Sequence, residues 1–486
     1  MTKKDIKVEI EDSGNTTGEI VFEKRSKIYQ AKVSGTFRTL KTIISYVFLL
    51  AFFAMPFLRY ERAGDMPDQA VMVDLTLRKF FFFAIEIWPQ EAYYFIGLLV
   101  FAAIFLFFIT SLFGRVWCGY ACPQTVFSDL FYRIEEFVEG SYQKRQRQDN
   151  KIFTKKVLPK KIIKHSLWLA VSLLTGASVT FYFADAYQTS LDIINFKASY
   201  TVYFWTLFLT ATTYIFAGFA REYICIYACP YARFQGAMMD ADSLVVTYDA
   251  VRGEPRSKKN SHDEATSDCV DCYRCVVVCP VGIDIRDGQQ YQCINCGLCV
   301  DACNDIMTKL NKPLNLVRYD TLRNLTREEK GLSSSFKILR PRTIVYGAIV
   351  TILGAALLFG LLFKKQVLEF SVQPNRSVMF VKLSDGAIRN IYDLKIVNKS
   401  YEIDSVNLKI EGLENAKITI KPKYKVLDLH DGSLELQLKK NKISNFKVFI
   451  DAKEYSKKSN YQDLDFNFKA DDLDDSYSTK FTHPNK

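Results

Sequence analysis

Long apolar runs and short alternating runs divide this chain into two parts with different hydrophobic periods. Before residue 364, five runs approach the roughly 20 residues that a helix needs to cross a bilayer. They are Thr42–Leu58, Ala92–Phe113, Leu167–Phe183, Thr201–Ala220 and Ile344–Phe363. A sixth run, Phe80–Trp88, is too short to span and contains Glu86, so it is interpreted as an interfacial or re-entrant segment. The pattern therefore predicts an α-helical membrane bundle of about five spans.

The carboxyl-terminal part, from about Phe370 to Phe481, has a period of two instead. Apolar residues alternate with polar ones in short runs separated by polar or glycine-containing turns, as expected for half-buried strands. Examples are Leu394 and Ile396; Val406, Leu408 and Ile410; Leu434, Leu436 and Leu438; Val448 and Ile450; Leu464, Phe466 and Phe468. Regular short strands at this spacing predict an all-β sandwich of immunoglobulin-like type, suited to docking rather than chemistry.

Eight of the twelve cysteines lie in two consecutive C-x2-C-x2-C-x3-C runs. They are Cys269, Cys272, Cys275 and Cys279, then Cys293, Cys296, Cys299 and Cys303. This spacing is typical of two [4Fe–4S] clusters in which the fourth cysteine of each run ligates the other run's cluster. One predicted cluster therefore takes Cys269, Cys272, Cys275 and Cys303; the other takes Cys293, Cys296, Cys299 and Cys279.

Disulfides and zinc are the two alternatives for these eight residues. A chain of 486 residues that is 49% hydrophobic needs no disulfide framework to be stable. Zinc sites usually consist of two C-x2-C pairs with a longer spacer, whereas here three cysteines repeat at a spacing of three and a fourth follows at four. The spacing thus favours a dicluster ferredoxin-like module.

The other four cysteines form two C-x3-C pairs in a repeated Cys-x-Tyr-Ala-Cys-Pro hexamer. They are Cys118 with Cys122 and Cys225 with Cys229, each pair at the end of a long apolar run. Residues four apart share a helix face, so each pair is expected to present two sulfurs to one site, with the proline breaking a helix or opening a new one. A single buried cysteine is usually a small hydrophobe, and a structural repeat without chemistry stays an alternative. Four clustered thiolates would make a soft site that selects Cu(I), zinc or iron–sulfur.

Charge gives the predicted orientation. The segment from Arg115 to Lys164 holds eleven basic and five acidic residues, and residues 304–342 hold nine Lys or Arg, so both are expected on the cytoplasmic side. The connections at residues 60–90 and 184–200 are poor in Lys and Arg and are expected outside. The net charge of +11 is therefore assigned to inner loops, and no nucleic-acid partner is expected.

These features predict five domains. They are a cytoplasmic amino-terminal segment (1–38), a four-span membrane domain with both C-x3-C-Pro motifs (39–230), a cytoplasmic dicluster ferredoxin domain with its flanks (231–342), a fifth transmembrane helix (343–363) and a periplasmic immunoglobulin-like β-sandwich (364–486).

Neither a glycine-rich dinucleotide fingerprint nor a P-loop occurs in the sequence, which argues against bound NAD, FAD or ATP. Electrons are therefore expected from an unidentified donor protein or a quinone.

Several stretches resemble one family closely. They are Tyr248–Arg256 (YDAVRGEPR), Asp271–Pro280 (DCYRCVVVCP) with Gly282–Arg286 (GIDIR), and the two Tyr-Ala-Cys-Pro motifs. They are similar to the cytochrome c oxidase accessory family called CcoG, FixG or RdxA, and the resemblance covers nearly the whole chain.

This resemblance implies a multi-pass protein of the bacterial inner membrane. Its implied function is to reduce Cu(II) to Cu(I) for the copper centre of cbb-type oxidases, with the eight ferredoxin cysteines as cluster ligands. Cys118, Cys122, Cys225 and Cys229 become the expected catalytic and copper-binding thiols. The implied partners are membrane lipid, oxidase subunits or copper-handling assembly factors, and a homodimer is left open.

Two other functions remain. Quinol-dehydrogenase membrane subunits of the NapH kind also combine C-x3-C-Pro motifs with a dicluster ferredoxin, but they lack the fifth span and the outer sandwich. The second alternative is an oxidase assembly scaffold that holds subunits or copper without turnover.

Overall fold

The structure is a computed structural model whose described residues form two compact units. The described ranges are 27–62, 66–149, 154, 156–256, 267–333, 337–363, 367–375, 378–413, 415–422, 426–428, 433–453, 460–470 and 473–484. The first unit comprises residues 1–57 and 102–348, and the second comprises residues 58–101 and 349–486. Most of the predicted segment 1–38, residues 1–26, lies outside the described residues.

The α-helices follow in chain order. They are α1 (Thr36–Ala54), α2 (Tyr93–Phe113), α3 (Val116–Tyr120), α4 (Pro123–Glu139), α5 (Tyr142–Asp149), α6 (Leu158–Phe181), α7 (Ala186–Ile194), α8 (Tyr200–Ile215), α9 (Arg221–Tyr223), α10 (Pro230–Met238), α11 (Ala250–Gly253), α12 (Arg274–Val277), α13 (Leu298–Lys309), α14 (Leu322–Glu329) and α15 (Pro341–Phe363). Two π-helical turns, Phe216–Ala220 and Ile224–Ala228, flank α9.

Among the described residues, five helical stretches are long and apolar enough to cross a membrane, which confirms the predicted five-span bundle. They are Thr36–Phe57, Pro89–Phe113, Leu158–Phe181, Tyr200–Ala228 and Pro341–Leu362. The first and third stretches begin earlier than the apolar runs suggest, because lysines in their first two turns lie near carboxylates. Lys41 of α1 is buried and interacts electrostatically with Asp129. Lys161 and Lys164 of α6 form ion pairs with Glu139.

The first unit contains the ferredoxin module and the predicted four-span region except residues 58–101, which belong to the second unit. Strands β4 (Val245–Tyr248) and β5 (Val317–Asp320) pair antiparallel and bracket the two cysteine runs. Helices α6 and α8 pack closely at Gly176, where an added Cβ would lie 2.5 Å from the Thr206 carbonyl oxygen. Small residues at such a crossing let two membrane helices approach each other.

The second unit contains the predicted sandwich. Its strands are β6 (Leu368–Pro374), β7 (Val381–Lys382), β8 (Ile388–Asn398), β9 (Ser405–Glu411), β10 (Lys417–Lys421), β11 (Val426–Asp428), β12 (Leu434–Gln437), β13 (Ile443–Ala452), β14 (Tyr461–Ala470) and β15 (Leu473–Thr482). One sheet has the order β10-β13-β8-β6, with β7 beside β8, and the other has the order β11-β12-β9-β14-β15. Their facing side chains form one buried core, in which Phe370 of β6 stacks on Phe468 of β14 at 4.1 Å.

The short apolar run at residues 80–88 is a β-hairpin within a three-stranded sheet. Strands β1 (Val71–Asp74), β2 (Lys79–Phe82) and β3 (Ile85–Ile87) form this sheet in the second unit. Polar residues join it to the sandwich: Lys79 Nζ donates to Asn441 Oδ1 at 2.7 Å, and Tyr401 donates its hydroxyl to Glu86 at 2.6 Å. Glu86 therefore has a hydrogen-bonded partner that the apolar context of its run did not suggest.

Candidate functional site

The first C-x3-C pair lies at a junction between two helices. Cys118 belongs to the short helix α3, and Cys122 is the residue that caps α4, with Pro123 in its first turn. A residue before proline is driven out of the helical region, and Cys122 accordingly has φ −61° and ψ 127°. The expectation that both sulfurs lie on one regular helix is therefore wrong, whereas the expectation that proline opens a new helix is confirmed.

The second pair repeats this arrangement on a different backbone. Cys225 lies in the π-helical turn Ile224–Ala228, and Cys229 precedes Pro230 at the start of α10 with φ −77° and ψ 112°. A π-turn inserts one extra residue per turn and often occurs at functional sites. The apolar run alone does not predict this irregularity.

The structure brings the four sulfurs of the two pairs together. Cys118 interacts electrostatically with Cys122 and Cys229, and Cys225 interacts with all three of the others. All four are free thiols. Within the described ranges, no group of three or more His, Cys, Asp or Glu is arranged to hold a single metal ion. The same holds for the eight ferredoxin cysteines. We call the four neighbouring C-x3-C thiols the loose thiol group.

Cys118 is the most enclosed member of this group. Its thiol donates to Gln235 Oε1 at 2.8 Å, and Arg115 Nη2 lies 3.8 Å from its Sγ. Burial raises the pKa of the Cys118 thiol, although the guanidinium of Arg115 opposes the shift. Gln235 lies seven residues beyond Ala228, on α10, so the segment after the second motif closes over the first.

The first motif is fixed directly against the second cysteine run of the ferredoxin module. A Cβ on Gly119 would lie 2.6 Å from the Ile294 carbonyl oxygen, so only glycine fits there. The Tyr120 hydroxyl donates to the Cys296 carbonyl at 3.0 Å, and Arg115 donates to the Tyr291 carbonyl at 2.7 Å. The C-x3-C thiols therefore lie beside residues predicted to hold an iron–sulfur cluster.

The eight ferredoxin cysteines fall into two neighbourhoods. Cys275 interacts with Cys272 and Cys303, and Cys303 also interacts with Cys269. Cys299 interacts with Cys293, Cys296 and Cys279, and least strongly with Cys275 of the first neighbourhood. The two neighbourhoods are compatible with the two predicted ligand sets, and they meet at Cys275 and Cys299. The ligation itself remains a prediction.

The surroundings of these thiols fit an iron–sulfur cluster. Burial raises the pKa of Cys275 to about 12 and that of Cys303 to about 11, so neither thiol ionises at neutral pH without a nearby cation. Backbone N–H groups already point at several sulfurs: Val281, Gly282 and Ile283 donate to Cys279, and Val317 donates to Cys303. Hydrogen bonds of this kind to cluster sulfurs tune the potential of iron–sulfur centres.

A buried ion network links the two motifs. Glu135 of α4, the helix that Cys122 caps, receives two hydrogen bonds from Arg221, at 2.8 and 3.2 Å, and one from Arg145 at 2.9 Å. Burial acts to raise the pKa of Glu135, but Arg221, Lys164 and Arg145 outweigh it and hold the pKa below its usual range. Arg221 lies four residues before Cys225, so this carboxylate connects both halves of the site.

The sequence did not indicate these supporting residues. Arg115 and Gln235 stand near the motifs but have no spacing signal of their own. The described part of the amino-terminal segment is equally unexpected: the Ala31 N–H donates to the Val277 carbonyl at 2.7 Å. Asp301 of α13 accepts hydrogen bonds from the backbone N–H groups of Phe37 and Arg38, at 3.3 and 2.7 Å. These contacts join residues that are more than 240 positions apart, so no local sequence pattern indicates them.

Three family models match the chain. A 4Fe–4S binding domain matches residues 95–142, which include Cys118 and Cys122. A 4Fe–4S dicluster domain matches residues 220–322, which include the second motif and both ferredoxin runs. An immunoglobulin-like fold at the carboxyl terminus of FixG matches residues 358–484.

Curated relatives match over most of their length. The nitrogen fixation protein FixG of Rhizobium meliloti (strain 1021) is 40% identical over 461 residues, which cover 88% of this chain and 87% of that protein. The protein RdxA of Cereibacter sphaeroides is 43% identical over 397 residues, 81% of this chain and 84% of that protein. A crystal structure of a FixG-related protein from Vibrio parahaemolyticus aligns with 24% of this chain and 97% of its own length, at 18% identity and a TM-score of 0.20.

Proposed function

This chain belongs to the FixG/RdxA family of iron–sulfur oxidoreductases, and from that premise we propose that it reduces Cu(II) to Cu(I) for assembly of the copper centre of a cbb-type cytochrome c oxidase. The observation that carries the proposal is the position of the C-x3-C thiols. Gly119 and Tyr120, between Cys118 and Cys122, contact the backbone at Ile294 and Cys296 of the ferredoxin module. A soft thiol group beside a predicted electron carrier suits a metal whose lower oxidation state prefers sulfur.

The four thiols would bind copper as substrate. Thiolates bind Cu(I) strongly, and two are enough for it, so a loose group of four can hold copper at either pair and release it to a softer acceptor. Because burial favours the protonated form of Cys118, copper binding there displaces a proton. Arg115, 3.8 Å from the sulfur, then faces the thiolate with a positive charge.

The ferredoxin cysteines would hold the resident cofactors. Cys269, Cys272, Cys275 and Cys303 would hold one [4Fe–4S] cluster, and Cys293, Cys296, Cys299 and Cys279 the other. When bound, such clusters supply single electrons, and reduction of each Cu(II) consumes one electron. Residues Gly119 and Tyr120 hold the copper thiols close to the second set.

The proposed location is the bacterial inner membrane, with the ferredoxin module cytoplasmic and the sandwich periplasmic. Support comes from the excess of Lys and Arg in the predicted inner loops and from the second unit. In that unit the loop before α2 and the sandwich, both predicted to face outward, pack together through Lys399, which pairs with Glu91 at 2.6 Å. Oxidase subunits or copper-handling factors are the proposed partners.

The sandwich also favours this function over a quinol dehydrogenase of the NapH kind. Residues 358–484 match the carboxyl-terminal domain of FixG, a domain that four-span subunits of that kind would lack. A scaffold without turnover is separated from a reductase only by measuring electron transfer to copper.

The test is an anaerobic reduction of copper. The full-length protein, with its iron and sulfide content measured, is reduced with dithionite and freed of excess reductant. Cu(II) is then added, and Cu(I) is trapped by a chelator while the cluster absorbance is followed. We expect one Cu(I) per electron lost by the protein, and loss of this reaction when Cys118, Cys122, Cys225 and Cys229 are all replaced by serine.

The matched control adds hydroxyls to the same motifs without removing a thiol. Ala121→Ser and Ala228→Ser should retain copper reduction. If the four-serine protein keeps its iron and sulfide and still reduces Cu(II) at the original rate, the C-x3-C pairs are not the copper site.

A further inference from the structure

A cavity of about 890 Å³ lies in the first unit beside the start of the third span. It has a polar end and an aromatic wall, contributed by α6, α8 and the π-turn that follows α8. The lining residues that matter here are Lys161, Lys164, His165, Trp168, Tyr214 and Phe219. None of them was singled out by the cysteine motifs, and the copper proposal does not use them.

The aromatic wall is built around a histidine. His165 Nδ1 and the Tyr214 hydroxyl are hydrogen-bonded at 2.9 Å. The ring of Phe219 is nearly parallel to the imidazole, with an interplanar angle of 13°, and Trp168 meets the imidazole edge-on at 5.1 Å. Since Tyr214 engages Nδ1, Nε2 is the nitrogen through which His165 can exchange a hydrogen bond or a proton with a ligand.

The cations at the polar end are already neutralised. Lys161 pairs with Glu139 at 2.9 Å and also with Asp149, and Lys164 pairs with Glu139 at 3.2 Å. A site for a phosphate headgroup needs cations that are not committed to carboxylates. These pairs therefore favour an uncharged headgroup over an anionic lipid.

The other side of the cavity suits an apolar tail. Ile162 and Leu169 line it and are 57% and 53% exposed, although they belong to a helix of membrane-spanning length. A ligand that fits would have a flat ring able to stack, hydroxyls able to bond a histidine, and a hydrocarbon chain.

The cavity also adjoins the copper thiols. Arg221 and Glu222 line both this cavity and a second one, of about 60 Å³, that is lined by Cys225. A redox molecule in the large cavity would thus be separated from the second C-x3-C motif by these two residues.

We propose that this cavity binds a membrane quinol, with His165 accepting the proton of one quinol hydroxyl. The inference rests on the proposed function, because the electrons of the quinol are those that reduce copper. Oxidation of one quinol to the quinone releases two electrons and two protons. Two Cu(II) ions take one electron each and become Cu(I), and both protons leave to water, the first by way of His165 Nε2.

The first test compares two reductants on the full-length, cluster-loaded protein. Decylubiquinol and menadiol, tried separately, should bleach the cluster absorbance, and His165→Phe should slow this by about a hundredfold, as expected for loss of a proton acceptor. Phenylalanine preserves the ring packing against Trp168 and Phe219. Dithionite does not need the cavity, so its rate of bleaching is the internal reference for folding and cluster content.

Two tyrosine substitutions on α8, one inside the cavity and one outside it, provide a matched comparison. Tyr214→Phe removes the hydroxyl that orients His165 and should slow quinol oxidation, whereas Tyr203→Phe removes a hydroxyl from the same helix outside the cavity and should not. The proposal is overturned if neither quinol reduces the original protein, or if His165→Phe is reduced by quinol at the original rate.

The second test measures binding without turnover. Replacing Trp88, Trp117 and Trp205 with phenylalanine leaves Trp168 as the single tryptophan. Oxidised decylubiquinone should quench its fluorescence with saturation, and His165→Phe should weaken binding by about tenfold, the value of one lost hydrogen bond. Quenching that rises linearly without saturation would contradict a binding site.

The two proposals fail differently. If dithionite-reduced protein reduces Cu(II) but quinol neither binds nor bleaches the clusters, the cavity assignment is wrong and the copper function stands. If quinol reduces the protein and added Cu(II) is not reduced, the cavity assignment stands and the copper function is wrong.

Discussion

The two C-x3-C motifs share one hexamer pattern and occupy different surroundings. In the first, the residue after the leading cysteine is Gly119, which lies against the Ile294 carbonyl, and Cys118 is buried. In the second, the equivalent residue is Ile226, and Cys225 lies in a π-turn and is half-buried. The repeat therefore brings four sulfurs together, but the motifs meet the ferredoxin module differently: Gly119 lies against a backbone carbonyl, whereas Ile226 packs against apolar side chains of that module. The same hexamer is therefore built into two environments, a close backbone contact at Gly119 and an irregular turn at Cys225.

The largest expected loss of stability comes from removing Glu135, the carboxylate that links the two motifs. Glu135→Gln removes the carboxylate that Arg221 and Arg145 share and leaves the buried Arg145 and the half-buried Arg221 without this counter-charge. The free energy of unfolding, measured by denaturant titration in mixed micelles, should fall by about 3–5 kcal/mol. Glu136→Gln on the same helix is the control, because its partner Lys32 is exposed and 3.9 Å away. An equal loss in both variants would refute the link.

The pH dependence of the same pair has a definite sign. The pKa of Glu135 is lower in the folded than in the unfolded protein, so the unfolded state binds more protons in the range between the two values. The stabilisation is complete above the unfolded pKa, near 4.5, and is lost as the pH falls through the folded pKa. The acid limb of the unfolding free energy should therefore become shallower in Glu135→Gln.

The next effect tests the tight contact of the first motif. Gly119→Ala places a Cβ against a backbone carbonyl that cannot turn aside, and should cost about 1–3 kcal/mol with a loss of iron content. Gly347→Ala is the control, since its nearest neighbour would be a Phe108 ring atom at an ordinary 3.5 Å. Unchanged stability and iron in Gly119→Ala would mean that the motif is not held there.

The rate of thiol alkylation should also differ between Cys118 and the other three cysteines of the motifs. Cys118 is buried, whereas Cys122, Cys225 and Cys229 are half-buried. In the cluster-loaded protein, iodoacetamide should therefore label Cys118 on the order of tenfold more slowly than the other three. Peptide mass spectrometry over a time course gives the four rates. Equal rates would place all four thiols in one environment.

The smallest effect concerns the hydrogen bond across the motifs. Gln235→Leu removes the acceptor of the Cys118 thiol and should lower the free energy of unfolding by about 1 kcal/mol. Gln143→Leu, on the exposed helix α5, should change it by less. If Gln235→Leu instead leaves stability intact and also leaves Cys118 labelling slow, the bond contributes nothing to enclosing this thiol.

Local patterns predicted the elements of the fold but not what joins them. The period of two located strands such as β8, β9 and β14, because one face of each strand is buried. Apolar runs located all five spans. They missed the polar first turns of α1 and α6, because the partners that neutralise Lys41 and Lys164 lie on α4, far away in sequence.

In the candidate site, too, local patterns predicted some features and missed the contacts between distant segments. Spacing located the cysteine motifs, which the 4Fe–4S family models cover, since ligand spacing is a local property; the assignment of each ferredoxin cysteine to one cluster stays a prediction. Spacing did not predict the π-turn at Cys225, the contact at Gly119 or the cavity at His165. Each of these features depends on a carbonyl group or an aromatic ring from a part of the chain that is distant in sequence. A local sequence pattern therefore does not predict them.

The hydrogen bonds from Phe37 and Arg38 to Asp301 have a consequence for synthesis. The acceptor for the first turn of α1 lies 264 residues later in the chain, on the helix that carries Cys299 and Cys303. At ribosomal rates of about 5–20 residues per second, the first span waits on the order of 10–50 s before this cap exists. The first turn of α1 therefore obtains these two hydrogen bonds only after the cysteine-rich module has been synthesised.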